Sequence, residues 1–390
     1  MMNDTGQPTF SVVIPLYNRA EIVTTTIRSV LEQDFTDFEI IVVDDGSKDD
    51  PEPVVRAIDD PRIRYVRQDN AGGGAARNLG IEEARGRYIA FLDSDDQFLP
   101  GKLSIMAAAL PDEDDLVLYS QMKVDRGVDR YWVRPERGIR EGEDVGEYLF
   151  CANQFMQTST LVVPTGLARR VRFDPALKKG QDLDFAVRLQ VAGARFRMIE
   201  QPLTIWLDAS EVGRTSYVRG YETSLDWLDR CGHLLTSRAR HGYRATVLAY
   251  HMAPVRPVAA LPELVRGLFY GRVPPRILAR QLLRSYLPKS FYRSLVNQFV
   301  HRFGKAEALA GKAVGVSPYI SELHEGLSGS GSPKDLETMF QLIHLYMTAP
   351  RLDSTSVISY RTRMKGMLRN RSARPESAFS DTLQGTLSQY

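Results

Sequence analysis

Tyr88-Ile89-Ala90-Phe91-Leu92-Asp93-Ser94-Asp95-Asp96-Gln97-Phe98 is an apolar run that breaks into carboxylates. The apolar part reads as a buried strand, and Asp93, Asp95 and Asp96 fall at or just past its end. Acids packed this closely repel one another, and a divalent metal is the usual agent that offsets the repulsion. Carboxylate oxygens suit Mg²⁺ or Mn²⁺, which take few protein ligands and fill the remaining positions with phosphate oxygens and water. The plain alternative is a solvated acidic loop at a strand end.

The residues upstream repeat the same theme. Phe10-Ser11-Val12-Val13-Ile14-Pro15 reads as a buried parallel strand that Pro15 ends, with Leu16-Tyr17-Asn18-Arg19 as the loop beyond it. Ile22, Thr26, Ile27, Val30 and Leu31 then recur at helical spacing. Phe38 to Val43 is a second strand, ending in Asp44-Asp45-Gly46-Ser47, and Ser47 or Asp49 is placed to cap the helix that follows. Ile63 to Val66 is a third. Asn70-Ala71-Gly72-Gly73-Gly74-Ala75-Ala76-Arg77-Asn78 is a glycine-rich loop opening a helix. It matches neither the dinucleotide-binding nor the Walker spacing. Its functional reading is a backbone able to approach a ligand closely, with Arg77 reaching toward phosphate; its plain reading is a turn before a helix. Strands alternating with helices predict an α/β doubly wound sheet. Ligands bind such sheets outside the carboxyl ends of the strands, so Tyr17 and Arg19, Asp44 and Asp45, and Asp93, Asp95 and Asp96 should share one crevice.

Taken in order and at their spacing, Val13-Ile14-Pro15-Leu16-Tyr17-Asn18, Val42-Val43-Asp44-Asp45-Gly46-Ser47, Asn70-Ala71-Gly72, Ala76-Arg77-Asn78 and Leu92-Asp93-Ser94-Asp95-Asp96 resemble the nucleotide-binding half of a family 2 glycosyltransferase. The resemblance implies the GT-A fold, a nucleotide-diphosphate sugar donor, a sugar or lipid-linked acceptor, inversion at the anomeric carbon and a Mn²⁺ or Mg²⁺ cofactor. Carried over by position, it puts Pro15, Tyr17, Arg19, Asp44, Asp45, Arg77 and Asp93 at the nucleotide. Within that set Tyr17, Arg19 and Asp45 hold the base and Arg77 the diphosphate side. Asp93 and Asp95 form the DXD pair, with Asp95 the direct metal ligand and Asp96 a further candidate.

The acceptor half follows. Gln154 to Pro164 reads as a strand, and the segment around Asp182-Leu183-Asp184-Phe185-Ala186-Val187-Arg188-Leu189 as a helix with Phe185, Leu189 and Ala192 inward. An inverting transfer needs one base for the acceptor hydroxyl, and a positioned carboxylate serves. The family usually carries Glu-Asp here; this chain has Gln181-Asp182. The resemblance makes Asp182 the base and Asp184 the runner-up, whereas plain helix capping would also favour acids at both positions. Arg214, in Gly213-Arg214-Thr215-Ser216, is a candidate contact from a closing loop.

Bulk properties are those of an ordinary globular protein: 390 residues, 25% charged, net charge +2, which gives no reason to expect a nucleic-acid partner. Cys151 and Cys231 are too few for a disulfide scaffold, the start of the sequence lacks an apolar leader, and no apolar run is long enough to span a bilayer. A cytoplasmic location is expected, with a peripheral position at the inner face of the membrane suggested by one region. From Pro254 to Lys305 ten arginines and lysines face only Glu263, with Leu278, Leu282, Phe291, Leu295 and Phe299 at helical spacing. A basic amphipathic helix reads as membrane-surface binding; the alternative is an apolar stripe packed on the catalytic domain.

The expected organisation is thus a GT-A domain over 8–210 (nucleotide half 8–100, acceptor half 101–210), basic helices over 211–305, and a tail over 306–390. Val316-Ser317-Pro318-Tyr319-Ile320, Ser332 to Met339 and Thr348-Ala349-Pro350-Arg351 resemble a fragment of an insulinase-type M16 metallopeptidase. That family's inverted zinc motif is absent, so no peptidase activity is expected. Ser317 to Leu323 reads as a strand, Gly326, Gly329 and Gly331 as a loose turn, and helices are expected from Ser332 and from Asp353. Two readings of other classes stand beside the enzyme: a catalytically inactive nucleotide-sugar-binding protein, and a non-catalytic metallopeptidase-related subunit.

Overall fold

The computed structural model describes residues 7–110, 115–126, 130–208, 221–303, 305–306, 314–320 and 325–331. The chain forms two compact units, Met1–Glu307 and Ala308–Tyr390. In the first, β1 (Phe10–Leu16), α1 (Ala20–Leu31), β2 (Phe38–Asp45), α2 (Glu52–Arg56), β3 (Ile63–Gln68), α3 (Gly73–Glu83) and β4 (Tyr88–Phe91) alternate. Then come β5 (Asp96–Phe98), α4 (Lys102–Ala108), β6 (Leu116–Asp125), β7 (Arg130–Arg134), β8 (Leu161–Pro164), α5 (Thr165–Val171), α6 (Gln181–Val191) and β9 (Arg195–Leu207). Helices α7 (Glu222–Cys231), α8 (Ser237–Tyr243), α9 (Ala249–Met252), α10 (Pro257–Phe269), α11 (Pro275–Tyr286) and α12 (Lys289–Phe303) follow, and β10 (Lys305–Ala306) closes the unit.

The sheet runs β10-β7-β6-β8-β4-β1-β2-β3. Strands β3, β2, β1 and β4 are parallel; β8 joins β4 antiparallel, and β9 lies parallel to β6. Alternate residues of the parallel strands enter opposite cores, as the pleat requires. Val12, Ile14, Ile40 and Val42 meet Val23, Ile27 and Val30 of α1. Val13, Ile41, Val43 and Phe91 meet Ala76, Phe173 and Phe185 on the other side. Burial on both faces is why these strands read as unbroken apolar runs.

Several sequence expectations shift. Pro15 lies within β1 rather than ending it. Val13 bonds toward β4, and Pro15, two residues on, points its missing donor to the same side, where β4 has already ended. Ile22 is exposed while Val23 takes the core position. Neither Ser47 nor Asp49 caps α2: Ser47 accepts the Asn18 N–H at 2.9 Å and Asp49 the Ala20 N–H at 2.8 Å, so both tie down the β1–α1 loop. Residues 154–157 have no regular structure, Thr158–Thr160 form a single 3-10 turn of helix, and only Leu161–Pro164 is a strand. Helix α6 ends at Val191, leaving Ala192 exposed.

The described part of the second unit is one antiparallel hairpin, β11 (Val314–Ile320) with β12 (Glu325–Gly331). Gly326, Gly329 and Gly331 therefore belong to a strand, not to a loose turn. The helices expected from Ser332 and Asp353, and the Gly213–Ser216 loop with Arg214, lie outside the described residues.

Candidate active site

Strand order reverses between β1 and β4, and the crevice beyond their carboxyl ends collects the polar clusters. At the end of β1, Tyr17 is 42% exposed and faces outward. Arg19 reaches across to β4, pairing with Asp95 at 2.7 Å and donating to Ser94 Oγ at 3.3 Å.

The end of β2 works differently from the sequence expectation. Asp45 is buried, and its carboxylate accepts from Gln68 Nε2 (2.7 Å), Asn70 Nδ2 (3.2 Å), Ala71 N (2.9 Å) and Gly72 N (2.8 Å). A carboxylate has about four acceptor positions, so none is left for a nucleobase. Asp45 shapes the glycine loop instead. Asp44, with no exposed surface, accepts from Ser47 N and Tyr65 Oη and lies 3.6 Å from Arg67 Nε. The loop they hold leads into α3 at Gly73 and Gly74, where an added Cβ would meet Arg77 Nη1 at 3.2 Å and the Asp174 carbonyl at 3.1 Å. At Gly74 a larger residue would need the acceptor half's backbone to give way by a few tenths of an ångström, so glycine suits this close approach.

The three acids after β4 separate. Asp93 and Asp95 sit on a tight turn, their side chains 23% and 27% exposed. Asp96 begins β5 and is buried, its Oδ2 taken by Gln157 Nε2 at 2.7 Å and Ser159 Oγ at 2.6 Å. Burial first, then the Asp93 and Asp95 charges, pushes its carboxyl well above the usual range. Beneath it lies Lys102, fully buried, which donates to the Ser159 carbonyl and Thr204 Oγ1; burial lowers its ammonium to about 7, opposed by Asp96. Asp96 is thus a foundation of the turn and not an outward ligand. Nothing in the sequence marked Gln157, Ser159 or Lys102 as its partners, since they are scattered along the chain.

Could the turn hold a cation? Among the described residues no three acids, histidines or cysteines converge as a metal set. The donor set is two hard carboxylates at the rim of the crevice, each paired with one arginine. That fits a cation taking two protein oxygens at most and the rest from diphosphate and water.

Arg77 joins the two halves of the site. It donates to Asp93 Oδ1 at 2.5 Å and to Gln181 Oε1 at 2.7 Å, and lies 5.4 Å from the Phe173 ring centre. Each terminal nitrogen makes one of these bonds, so Arg77 positions Asp93 and α6, while its buried Nε–H has no partner among the described residues. Gln181 completes the contact by donating to the Leu177 carbonyl, which accounts for an amide where the family carries an acid.

Gly180, at φ +67, turns the chain into α6 and sets Asp182 in its first turn. Asp182 is half-buried and accepts the Leu183 N–H at 2.9 Å. Burial pushes its carboxyl up to about 6; the Asp93 charge adds to this, while the Leu183 N–H and Arg77 oppose it. Asp184 is not an alternative. It is 1% exposed, gripped by Arg188 Nε and Nη2 and by Trp227 Nε1 at 2.9 Å. Replacing Arg188 with methionine would strand that buried charge and should cost about 3–5 kcal/mol in urea unfolding, with nucleotide binding retained by the folded protein.

Comparison with known proteins gives the family. The family model for glycosyl transferase family 2 matches residues 11–174. The amylovoran biosynthesis glycosyltransferase AmsB of Erwinia amylovora is 33% identical over 247 residues, 60% of this chain and 82% of that protein. The chain belongs to glycosyl transferase family 2. A β-1,3-glucosyltransferase of Campylobacter jejuni, whose name gives a GalNAc(5)-diNAcBac-PP-undecaprenol substrate, is 42% identical over 103 residues, a quarter of this chain and a third of that one. Among solved structures, Staphylococcus aureus TarS 1–349 aligns with a TM-score of 0.50 at 21% identity, covering 75% of this chain and 89% of TarS, which establishes the GT-A fold. As a family 2 member the protein is an inverting glycosyltransferase, moving a sugar from a nucleotide-diphosphate sugar to an acceptor hydroxyl.

Proposed function

We propose that the transfer is metal-dependent, that Asp182 is its base, and that the product is a polysaccharide or glycoconjugate. The observation that carries this is the meeting of Asp182, Arg77 and Asp93 in one crevice at the sheet's carboxyl edge. Asp182 takes the acceptor hydroxyl's proton as the oxygen attacks the anomeric carbon. A carboxyl held at about 6 is a stronger base than an exposed one and is still largely ionised near neutrality. Asp95, with Asp93 beside it, would hold Mn²⁺ or Mg²⁺, which supplies neutralisation of the departing diphosphate. Tyr17 and Arg19 line the nucleotide side; Pro15 and Asp44 support it from the strands, and Asp45 acts through the loop.

The names of AmsB and of the C. jejuni enzyme motivate a place in cell-surface glycan assembly, and with it a sugar or lipid-linked acceptor and a peripheral position on the cytoplasmic side of a membrane. For the tail, a non-catalytic M16-like appendage rests on the motif match alone.

Calorimetric titration with UDP, GDP and TDP, each with and without Mn²⁺, tests the site. One nucleotide should bind about tenfold or more tightly with Mn²⁺, a gain of roughly 1.4 kcal/mol that Asp95→Ala removes. Metal-independent binding would remove the cation from the reading. Binding without any sugar turnover would leave a nucleotide-sugar-binding protein.

A further inference from the structure

Strand register brings a loop of the acceptor half onto the Asp93 turn. β8 pairs antiparallel with β4, Tyr88 against Pro164, Ile89 against Val163 and Ala90 against Val162. Continued past the strand ends, the same register sets Asp93 opposite Ser159, with Gln157 just beyond. The contacts follow from that placement. Ser159 Oγ accepts the Asp93 N–H at 2.9 Å and donates to Asp96 Oδ2 at 2.6 Å. Gln157 Nε2 donates to Asp96 Oδ2 at 2.7 Å and to Asp93 Oδ2 at 3.2 Å.

Chemistry decides which way that amide faces. Gln157 Oε1 accepts the Ser159 N–H at 2.8 Å. A backbone N–H only donates, so the amide oxygen must face Ser159 and the NH₂ must face the two carboxylates. Gln157 is itself pinned, because its carbonyl accepts from Thr160 N at 2.9 Å and Thr160 Oγ1 at 2.6 Å. Ser159 is pinned from below: its carbonyl accepts from Lys102 Nζ at 2.7 Å and Thr204 Oγ1 at 3.1 Å. Lys102 gives a second N–H to Thr204 Oγ1 at 2.8 Å and lies 4.2 Å from the Phe98 ring centre. Gln157, Ser159 and Lys102 are all buried, so none of these bonds has water as a ready substitute.

Asp93 is therefore held at Oδ1 by Arg77, at Oδ2 by Gln157 and at its N–H by Ser159. The last two holds come from one short segment of the acceptor half. A carboxylate has about four acceptor positions, so Asp93, unlike Asp45, keeps room for a cation while its direction is fixed. Groups that hold a cation work when the residues around them are themselves locked.

We propose that Gln157 is a positioning residue for transfer, aiming the Asp93 carboxylate at the diphosphate and its cation, with Ser159 and Lys102 keeping the loop in register. This rests on the reading that Asp93 and Asp95 hold the cation, and the test separates the two.

The measurement is nucleotide affinity of the full chain by calorimetry, with and without Mn²⁺. Gln157→Met keeps the length of the side chain but donates nothing. It should cut the Mn²⁺ gain about fivefold, while metal-free affinity for the same nucleotide stays within about twofold. Gln157→Asn keeps an amide but is one methylene shorter, so it cannot span Ser159 and Asp93. It should cut the gain in the same way, and it carries the test if the methionine variant does not fold. Lost stability alone gives a different pattern: Arg188→Met should keep the full gain. If Asp95→Ala removes the Mn²⁺ gain but the folded Gln157 variants keep it, the positioning role is overturned and the cation reading stands. An equal loss with and without Mn²⁺ overturns it as well, since the loop would then shape the nucleotide pocket and not Asp93. Wild-type protein that binds nucleotide equally with and without Mn²⁺ overturns both.

Discussion

Replacing Asp182 with asparagine is expected to lower kcat by about 10²–10⁴ while nucleotide affinity changes less than twofold. Asparagine keeps the shape and can still accept the Leu183 N–H, so α6 should start in the same place. What it loses is the ability to take a proton. The pH dependence provides a second readout. The base works only when ionised, and burial holds its carboxyl at about 6. In the wild-type enzyme kcat/KM should therefore fall about tenfold per unit below pH 6 and level off above it. The asparagine variant should show a low residual rate without that limb. An unchanged limb in the variant, or near-normal turnover, would take the role away from Asp182. Asp184→Asn offers the contrast: that carboxylate is already held by Arg188 and Trp227, so its loss should appear in stability and not in the pH profile.

The sequence made the parallel half legible because burial on both sheet faces leaves an unmistakable print in β1, β2 and β4: three apolar runs, each ending in polar residues, beside the half-buried edge strand β3. The family motifs then supplied roles by position. Direction and capacity were hidden. Asp45 and Asp96 sit in the strongest motifs, yet Gln68 and Asn70 bond the Asp45 carboxylate and Gln157 and Ser159 take one oxygen of Asp96, all residues from other elements. No local pattern announces that a carboxylate's acceptor positions are taken by donors more than twenty residues away. Asp184 fails as a base for the same kind of reason, since Trp227 arrives from a helix whose packing periodicity alone does not predict. Lys102 is the extreme case. A lysine at the start of a short helix looks solvated, and only the fold reveals it beneath the Asp93–Asp95 turn. Helix α10 was half legible: the composition shift was visible, but that Ala260 and Leu264 turn inward while Val258 and Phe269 stay exposed was not.

Arg77→Met should produce the other large loss, about 10²-fold in turnover, with a modest fall in stability. Arg77 is 9% exposed and holds three things at once: the Asp93 carboxylate, the Gln181 amide and the face of Phe173. Methionine can replace the packing on Phe173 but neither hydrogen bond. Asp93 would be freed from one side of the turn, and the first turn of α6 would lose its tie to the nucleotide half. A misplacement of about 1 Å between donor and base is enough for a loss of that size. The lost charged hydrogen bond to Asp93 should cost about 1.5–3 kcal/mol, visible in urea unfolding. Arg77→Lys separates charge from geometry. Lysine restores a cation near Asp93 but cannot fork between Asp93 and Gln181. If Arg77 acts by joining the halves, lysine should recover stability more than turnover, and the residual rate should keep the same pH limb, because lysine keeps the positive charge that Asp182 feels. If lysine restored turnover fully, a simple positive charge toward the diphosphate would explain Arg77 better. A companion variant, Gln181→Glu, sharpens the point. It places an acid beside Arg77 and next to Asp182, so the contact with Arg77 becomes an ion pair while the donation to the Leu177 carbonyl is lost, and the added negative charge moves the pH limb upward.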